Sequence, residues 1–351
     1  MSAARAQPVL ATPAPAWHQA RWIISRNEDI TWFIGSAGIS FLALALMAGG
    51  FPVHPLMLVW LLLIDGPHVV ATVTRTYFDK QERAKLGALL WWLPLPMLAI
   101  GPAMVAAGQY AWFFLFAVCW QHFHIAKQHF GFVMLYKAKN GERDAKDLRL
   151  DKWLLLSSLW APMIVFIVRT RDVAAAWAPV DRMVPVIIAA YAVLVAAWLW
   201  RQVEKLRGGV AINLPKIALL VTVIPLQWIA LLHASHYGPE GIVRAGIALG
   251  LFHSFQYHRL LWFHNRNRYS ANGAGERYGL ASSFVSSAVF YVVLVVALHF
   301  LLMVLPRVVF PGDIAAAAVW GFSFTHYVLD SKIWRVRGDQ ELAVALRLRT
   351  N

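Results

Sequence analysis

Ten apolar stretches, each near the length needed to cross a bilayer, run through this chain. They fall at roughly 30–51, 55–75, 86–107, 109–136, 153–169, 183–200, 214–233, 241–263, 280–305 and 314–334. A helix rises about 1.5 Å per residue, so about 20 apolar residues span the hydrocarbon core. Inside lipid each backbone N–H and C=O needs a partner within the segment, which makes stretches of this length helical. The predicted fold class is therefore all-α, a polytopic transmembrane helix bundle of about ten spans. Short connections and the lack of a repeat or linker divide it into a cytoplasmic tail over 1–29, a transmembrane helical domain over 30–334 and a cytoplasmic tail over 335–351. Residues 1–29 carry Pro8, Pro13, Pro15 and scattered charges without an apolar core, so the first span is expected to direct insertion itself.

The basic residues set the expected orientation. With an N-terminus inside and ten spans, the outer loops hold only Arg169, Arg171, Arg182, Arg244 and Arg307, and Lys127 lies within a span. Every other Lys and Arg falls inside. That asymmetry places both termini in the cytoplasm and the protein in the inner (plasma) membrane. The net charge of +14 is then explained by loops facing anionic lipid, and no nucleic-acid partner is expected. Trp91, Trp92, Trp198, Trp200 and Trp262, near span ends, read as interfacial anchors. A single cysteine, Cys119, excludes an intramolecular disulfide, a thiolate cluster and an iron–sulfur centre.

Thirteen histidines are many for so apolar a chain, and ionisable groups within spans are costly enough to suggest function. Counting back from the first basic residue of the following loop gives a depth for each. His68, His129, His258 and His326 share one layer to within about 3 Å, on spans 2, 4, 8 and 10. His122, His124 and His253 lie one to two turns deeper. The others fall elsewhere: His54, His233, His236 and His299 towards the outer side, His264 at the interface and His18 in the tail. Asp65 and Asp330, at i−3 from His68 and i+4 from His326, sit where a carboxylate could accept the second ring N–H of a metal-bound imidazole. The glutamates all lie in loops or tails, which excludes a Glu-x-x-His bundle. Imidazole donors suit iron, copper, zinc or nickel. His122 and His129 share a face but differ by about 10 Å in height, so two sites or supporting roles are expected within the set. A hydrogen-bonded network with Gln121, Lys127, Gln128, Gln256 and Tyr257 and no metal is the alternative.

Three fragments, Gly66-Pro67-His68, His129-Phe130-Gly131 and His253-Ser254 with His258, resemble the bacterial Brp/Blh membrane family of non-haem iron dioxygenases that cleave β-carotene to retinal. The resemblance implies His68, His129, His253 and His258 as iron ligands. Here the late pair is spaced by five rather than four, which requires a π-bulge for the rings to align, and His326 with Asp330 has no counterpart. The His-x-x-His-His boxes of membrane desaturases are absent. The expected function is a metal-dependent oxidoreductase holding non-haem iron. It would act with O2 on a lipid or isoprenoid entering from the bilayer, with a possible electron donor. Aromatic residues (Phe113, Phe114, Trp120, Phe123, Phe130, Phe252, Phe255) would give an apolar surrounding. Two other classes remain open: a haem b protein for electron transfer or gas sensing, and a transporter relaying protons or metal ions.

Overall fold

A computed structural model describes residues 20–169, 182–270, 273–310 and 312–348, and it contains helices and no β-strand among them. His18, Arg171 and Arg349 lie outside the described residues. Ten long helices match the ten apolar stretches: α1 (Arg26–Ala48), α2 (Val53–Arg75), α3 (Ala88–Ala106), α4 (Tyr110–Lys139), α5 (Ala145–Arg169), α6 (Val184–Arg207), α7 (Leu214–Ala234), α8 (Pro239–Tyr269), α9 (Ala288–Val309) and α10 (Asp313–Ile333). Seven of them, all but α4, α8 and α10, are long and apolar enough to cross a membrane. The protein is a membrane protein on that ground. The remaining three carry His122, His124, His129, His253, His258 and His326, and this polar load lowers their hydropathy.

Boundaries shift where local structure intervenes. The ninth helix begins at Ala288, capped by the Ser287 hydroxyl on the Val289 and Phe290 amides, after a 3₁₀ segment over Gly279–Val285. It continues to Val309. His299 is thereby moved from the expected outer end to mid-helix. It is buried there, with its ring against Gly66 of α2 and neither ring nitrogen partnered. Any side chain at Gly66 would collide with that ring. The π-turns lie in α1 (Asp29–Ile34), α2 (Leu61–Asp65) and α9 (Phe300–Val304). By contrast, α8 is regular through both His253 and His258. Trp198 is buried and donates to Asp151 Oδ1 at 2.9 Å, so it is a core residue rather than an interfacial anchor. Trp91, Trp92 and Trp200 are exposed, as anchors require.

Small residues let α3 and α10 pack antiparallel at close range. A Cβ on Gly101 would stand 2.5 Å from the Ala317 carbonyl oxygen, and one on Gly321 2.5 Å from that of Met97. Membrane helices commonly use such residues to bring backbones together. Gly321→Val should therefore force α10 off α3, at an expected cost of about 1–3 kcal/mol or more. Thermal unfolding in detergent would check this, with Gly131→Val, where a Cβ meets nothing, as the silent control.

The described N- and C-terminal segments meet on one face. Arg21 and Asn140 exchange backbone and side-chain bonds, Lys139 donates to the Arg347 carbonyl, and Asn267 to that of Ala345. Lys85 bonds Asp339 at 2.5 Å, and Arg268 bonds both Asp79 and Glu341. The described N- and C-terminal segments thus share a side with the loops rich in Lys and Arg.

Candidate metal centre

Four imidazoles from four helices converge: His68 of α2, His124 of α4, His253 of α8 and His326 of α10, all buried. Their ring centres outline a four-sided figure. The sides are 4.7 Å (His68–His253), 4.6 Å (His68–His326), 4.8 Å (His326–His124) and 5.0 Å (His124–His253), and the His68–His124 diagonal is 6.4 Å. With metal–nitrogen bonds of about 2.0–2.1 Å, a bound ring is centred roughly 3.2 Å from the ion, so opposed rings stand about 6.4 Å apart and adjacent ones about 4.5 Å. The observed figure has these dimensions.

Three of the four rings also bring their nitrogens together. One ring nitrogen each from His68, His124 and His326 lies within 4.8 Å of the other two. His253 stands between His68 and His124 on the side away from His326, its Nε2 3.1 Å from His68 Nε2. The His68 Nδ1–H donates to the Asp65 carbonyl at 2.9 Å, which leaves His68 Nε2 as a bare lone pair. Two Nε2 atoms so close need a proton or a cation between them. His124 Nε2, His326 Nε2 and His253 Nδ1 are buried with no hydrogen-bond partner. Such orphaned groups cost about 1–3 kcal/mol each in an apolar interior. The donor set is all nitrogen and suits a transition metal rather than magnesium or calcium.

The outer atoms orient these rings. His326 Nδ1 is 2.6 Å from Thr72 Oγ1, and Thr72 in turn donates to Asp330 Oδ1 at 3.2 Å. The Asp330 carboxylate itself stands 3.6 Å from His326 Nδ1, so its link to that ring runs through Thr72. Tyr257 closes the network, its hydroxyl 2.8 Å from Thr72 and 3.1 Å from Asp330. Asp65 reaches His68 through its backbone carbonyl. Its carboxylate is 3.6 Å away and accepts from Ser254. Thr72 was not singled out from the sequence, although it lies one turn after His68 on the same face.

The other histidines proposed from the sequence lie outside the four-sided figure. His122 has both ring nitrogens occupied, by the Leu159 carbonyl at 3.1 Å and by Gln227 at 3.3 Å. His258 bonds the Tyr291 hydroxyl at 3.0 Å and the Ile64 carbonyl at 3.4 Å, and its ring is 6.5 Å from His68. With α8 regular, five residues turn it about 140° away from His253. His129 packs on Phe252 and leaves its buried Nδ1 unpartnered. The expected common layer of His68, His129, His258 and His326 is thus replaced by one that pairs His68 and His326 with the deeper His124 and His253. The reason is helix length. Helices α4 and α8 have 30 and 31 residues, and they run about two turns, or roughly 12 Å, farther past the site than α2 and α10.

Comparison with protein-family models, with curated proteins and with solved structures finds no match.

Proposed function

We propose that this chain is an integral-membrane metal-dependent oxidoreductase, most simply a non-haem iron oxygenase, that acts on a lipid or isoprenoid. All ten helices would cross the inner membrane, with both termini and the histidine centre towards the cytoplasm. The observation that carries the reading is the four-sided figure of His68, His124, His253 and His326, with its metal-sized spacings and bare nitrogens. Iron held by neutral imidazoles with open positions supplies O2 activation when bound. The chain's own part is to hold the rings, through Asp65, Thr72 and Asp330, and to keep water away. Apolar access is supported by aromatic contacts: Tyr327 stacks on His124 at 4.4 Å, Trp120 lies 5.9 Å from Tyr327, and Phe116, 5.2 Å from Trp120, is 40% exposed. That row leads from the histidines to the lipid-facing surface. A haem would need a flat slot between two facing histidines, whereas four rings here crowd one point edge to face.

Metal analysis of protein purified without added metal tests the reading. At least one equivalent of iron is expected, with no haem absorbance and with the same content in Cys119→Ser. A tetragonal nitrogen set also accepts copper(II) or nickel(II), so the assay reads all three. Protein with no transition metal and no uptake of ferrous iron would end the proposal. Topology has its own test. Reporters fused after Lys80, Gly141 and Arg337 should read as cytoplasmic, and those after Val53 and Gly108 as periplasmic. A cytoplasmic signal at Gly108 would overturn the ten-span orientation.

A further inference from the structure

A row of rings runs from the histidine centre to the face where the described terminal segments meet. The Tyr257 ring touches His68 and His326, at 5.1 and 5.4 Å between centres. Trp334 follows at 6.2 Å, His264 at a further 5.6 Å, Tyr269 at 6.1 Å and Tyr278 at 5.2 Å. Tyr257, Tyr269 and Tyr278 are buried. The row surfaces at Arg277, whose guanidinium lies 5.0 Å from the Tyr278 ring and whose side chain is 54% exposed. The rings come from α8, from the residue after α10 and from the short helix Ala274–Tyr278, so no single helical period aligns them. Two of the tyrosines also have a carboxylate on the phenol: Tyr257 donates to Asp330 Oδ1 at 3.1 Å, and Tyr269 to Asp79 Oδ2 at 2.8 Å. A phenol that loses an electron must also lose its proton, and each has its acceptor in place.

We infer that Tyr257, Trp334, Tyr269 and Tyr278 form a one-electron relay between the histidine centre and the basic face of the protein. Its physiological use rests on the reading of that centre as a redox-active metal site. Its ability to conduct does not. A redox-active metal ion held by these histidines would supply the one-electron oxidant, and Tyr257 would be the residue placed to give it an electron, its phenol O–H breaking as the proton passes to Asp330. The resulting phenoxyl takes an electron from Tyr269 by way of Trp334 and recovers its proton from Asp330, as Tyr269 releases its own proton to Asp79. A one-electron donor at the surface, of the reduced flavoprotein or iron–sulfur class, gives its electron by way of the Tyr278 ring to the Tyr269 phenoxyl, which recovers its proton from Asp79. The Arg75 guanidinium sits 4.2 Å above Trp334, so positive charge does not rest on the indole, which bridges the two tyrosines without itself being oxidised. His264 fills the gap between Trp334 and Tyr269 and is not itself oxidised.

The test uses full-length protein freed of metal by a chelator, with Arg277→Cys in a Cys119→Ser background carrying a ruthenium photosensitiser. Glu276→Cys gives a second attachment point should the first variant fold poorly. After flash oxidation of the ruthenium, a tyrosyl radical is expected by transient absorption and EPR, with a component that disappears in Tyr257→Phe. Trp334→Phe should slow the arrival of that component at least tenfold, whereas Trp200→Phe, on the exposed face of α6, should not change it. Radical formation identical in the parent, Tyr257→Phe and Trp334→Phe proteins would overturn the relay. Because no metal takes part, that failure is separate from failure of the metal reading, which is judged on the same preparation before chelation.

Discussion

Replacing any one of His68, His124, His253 or His326 by alanine should strip the protein of most of its bound metal. Each ring is one corner of a four-sided figure, and no spare imidazole stands within its dimensions among the described residues. The comparison within single helices is the sharpest. His124→Ala should empty the site while His129→Ala, on the same helix α4, retains metal. On α8, His253→Ala should empty it while His258→Ala retains it, because both His258 nitrogens already bond Tyr291 and Ile64. His122→Ala should also keep its metal. Thr72→Val and Asp330→Asn should weaken affinity by about 10–100-fold without abolishing it, the usual effect of losing an outer partner of a metal-bound histidine. Metal per mole of purified protein, measured by mass spectrometry and by competition with a chelator, reads the whole set. Metal lost from His129→Ala and His258→Ala but kept in His124→Ala would restore the ligand set implied by the family resemblance and overturn the geometry described here.

The second large effect is expected about three and a half turns along α4 from His124, where α4, α5, α6 and α7 are joined by a buried ionic cluster. Asp151 accepts from Lys137 at 2.7 Å, Lys216 at 2.8 Å and Trp198 at 2.9 Å, while Glu142 bonds Lys216 at 2.9 Å and Lys205 at 2.8 Å. Asp147 holds Lys205 and Arg201. The Lys137, Lys216 and Asp151 side chains are at most 3% exposed. Removing one member of a buried set leaves a charge without its partner, at about 3–5 kcal/mol. Asp151→Ala should therefore lower stability by that order, seen as an early thermal transition in detergent, and a transition within a degree of the parent would sink the idea.

The cluster also predicts acid sensitivity. Burial by itself would raise the Glu142 carboxyl, but the Lys216, Lys205 and Lys137 ammonium groups outweigh it and hold that carboxyl well below its ordinary 4.5. A group depressed in the folded state contributes stability above its unfolded value and loses it as pH falls through the folded one. Melting temperature should therefore fall progressively below about pH 4.5, and Glu142→Gln should start lower and show a flatter acid limb. A parallel acid limb in the two proteins would remove Glu142 from the account.

Much of the architecture is legible from hydropathy alone. Each of the ten apolar stretches becomes one helix, because a stretch of that length in lipid has no other way to satisfy its backbone. The described N- and C-terminal segments share a face with the basic loops, and the distribution of Lys and Arg along the sequence groups the same segments together. His68 and His326 were counted from Arg75 and Lys332, which lie at or next to the last residues of α2 and α10, and their rings stand 4.6 Å apart.

The same count misjudged α4 and α8. The residues counted from, Lys137 and Arg266, lie inside helices that continue to Lys139 and Tyr269, and Lys137 is neutralised by Asp151 and Glu142. A basic residue marks the end of a span only where water or lipid headgroups solvate it, and burial against acidic partners from distant segments breaks that link. Periodicity along one helix likewise could not choose between His253 and His258, or between His124 and His129. It fixes the angle between two side chains but not which of them faces the neighbouring helices. Length, composition and charge thus determined on their own that the chain makes a membrane helix bundle with a histidine-rich interior. Which four histidines meet, and that Thr72, Tyr257 and Trp334 stand behind them, was decided only by how far each helix slides along and turns against its neighbours. That choice is made by side-chain packing between segments far apart in the chain, such as Gly66 against His299 and Gly321 against Met97.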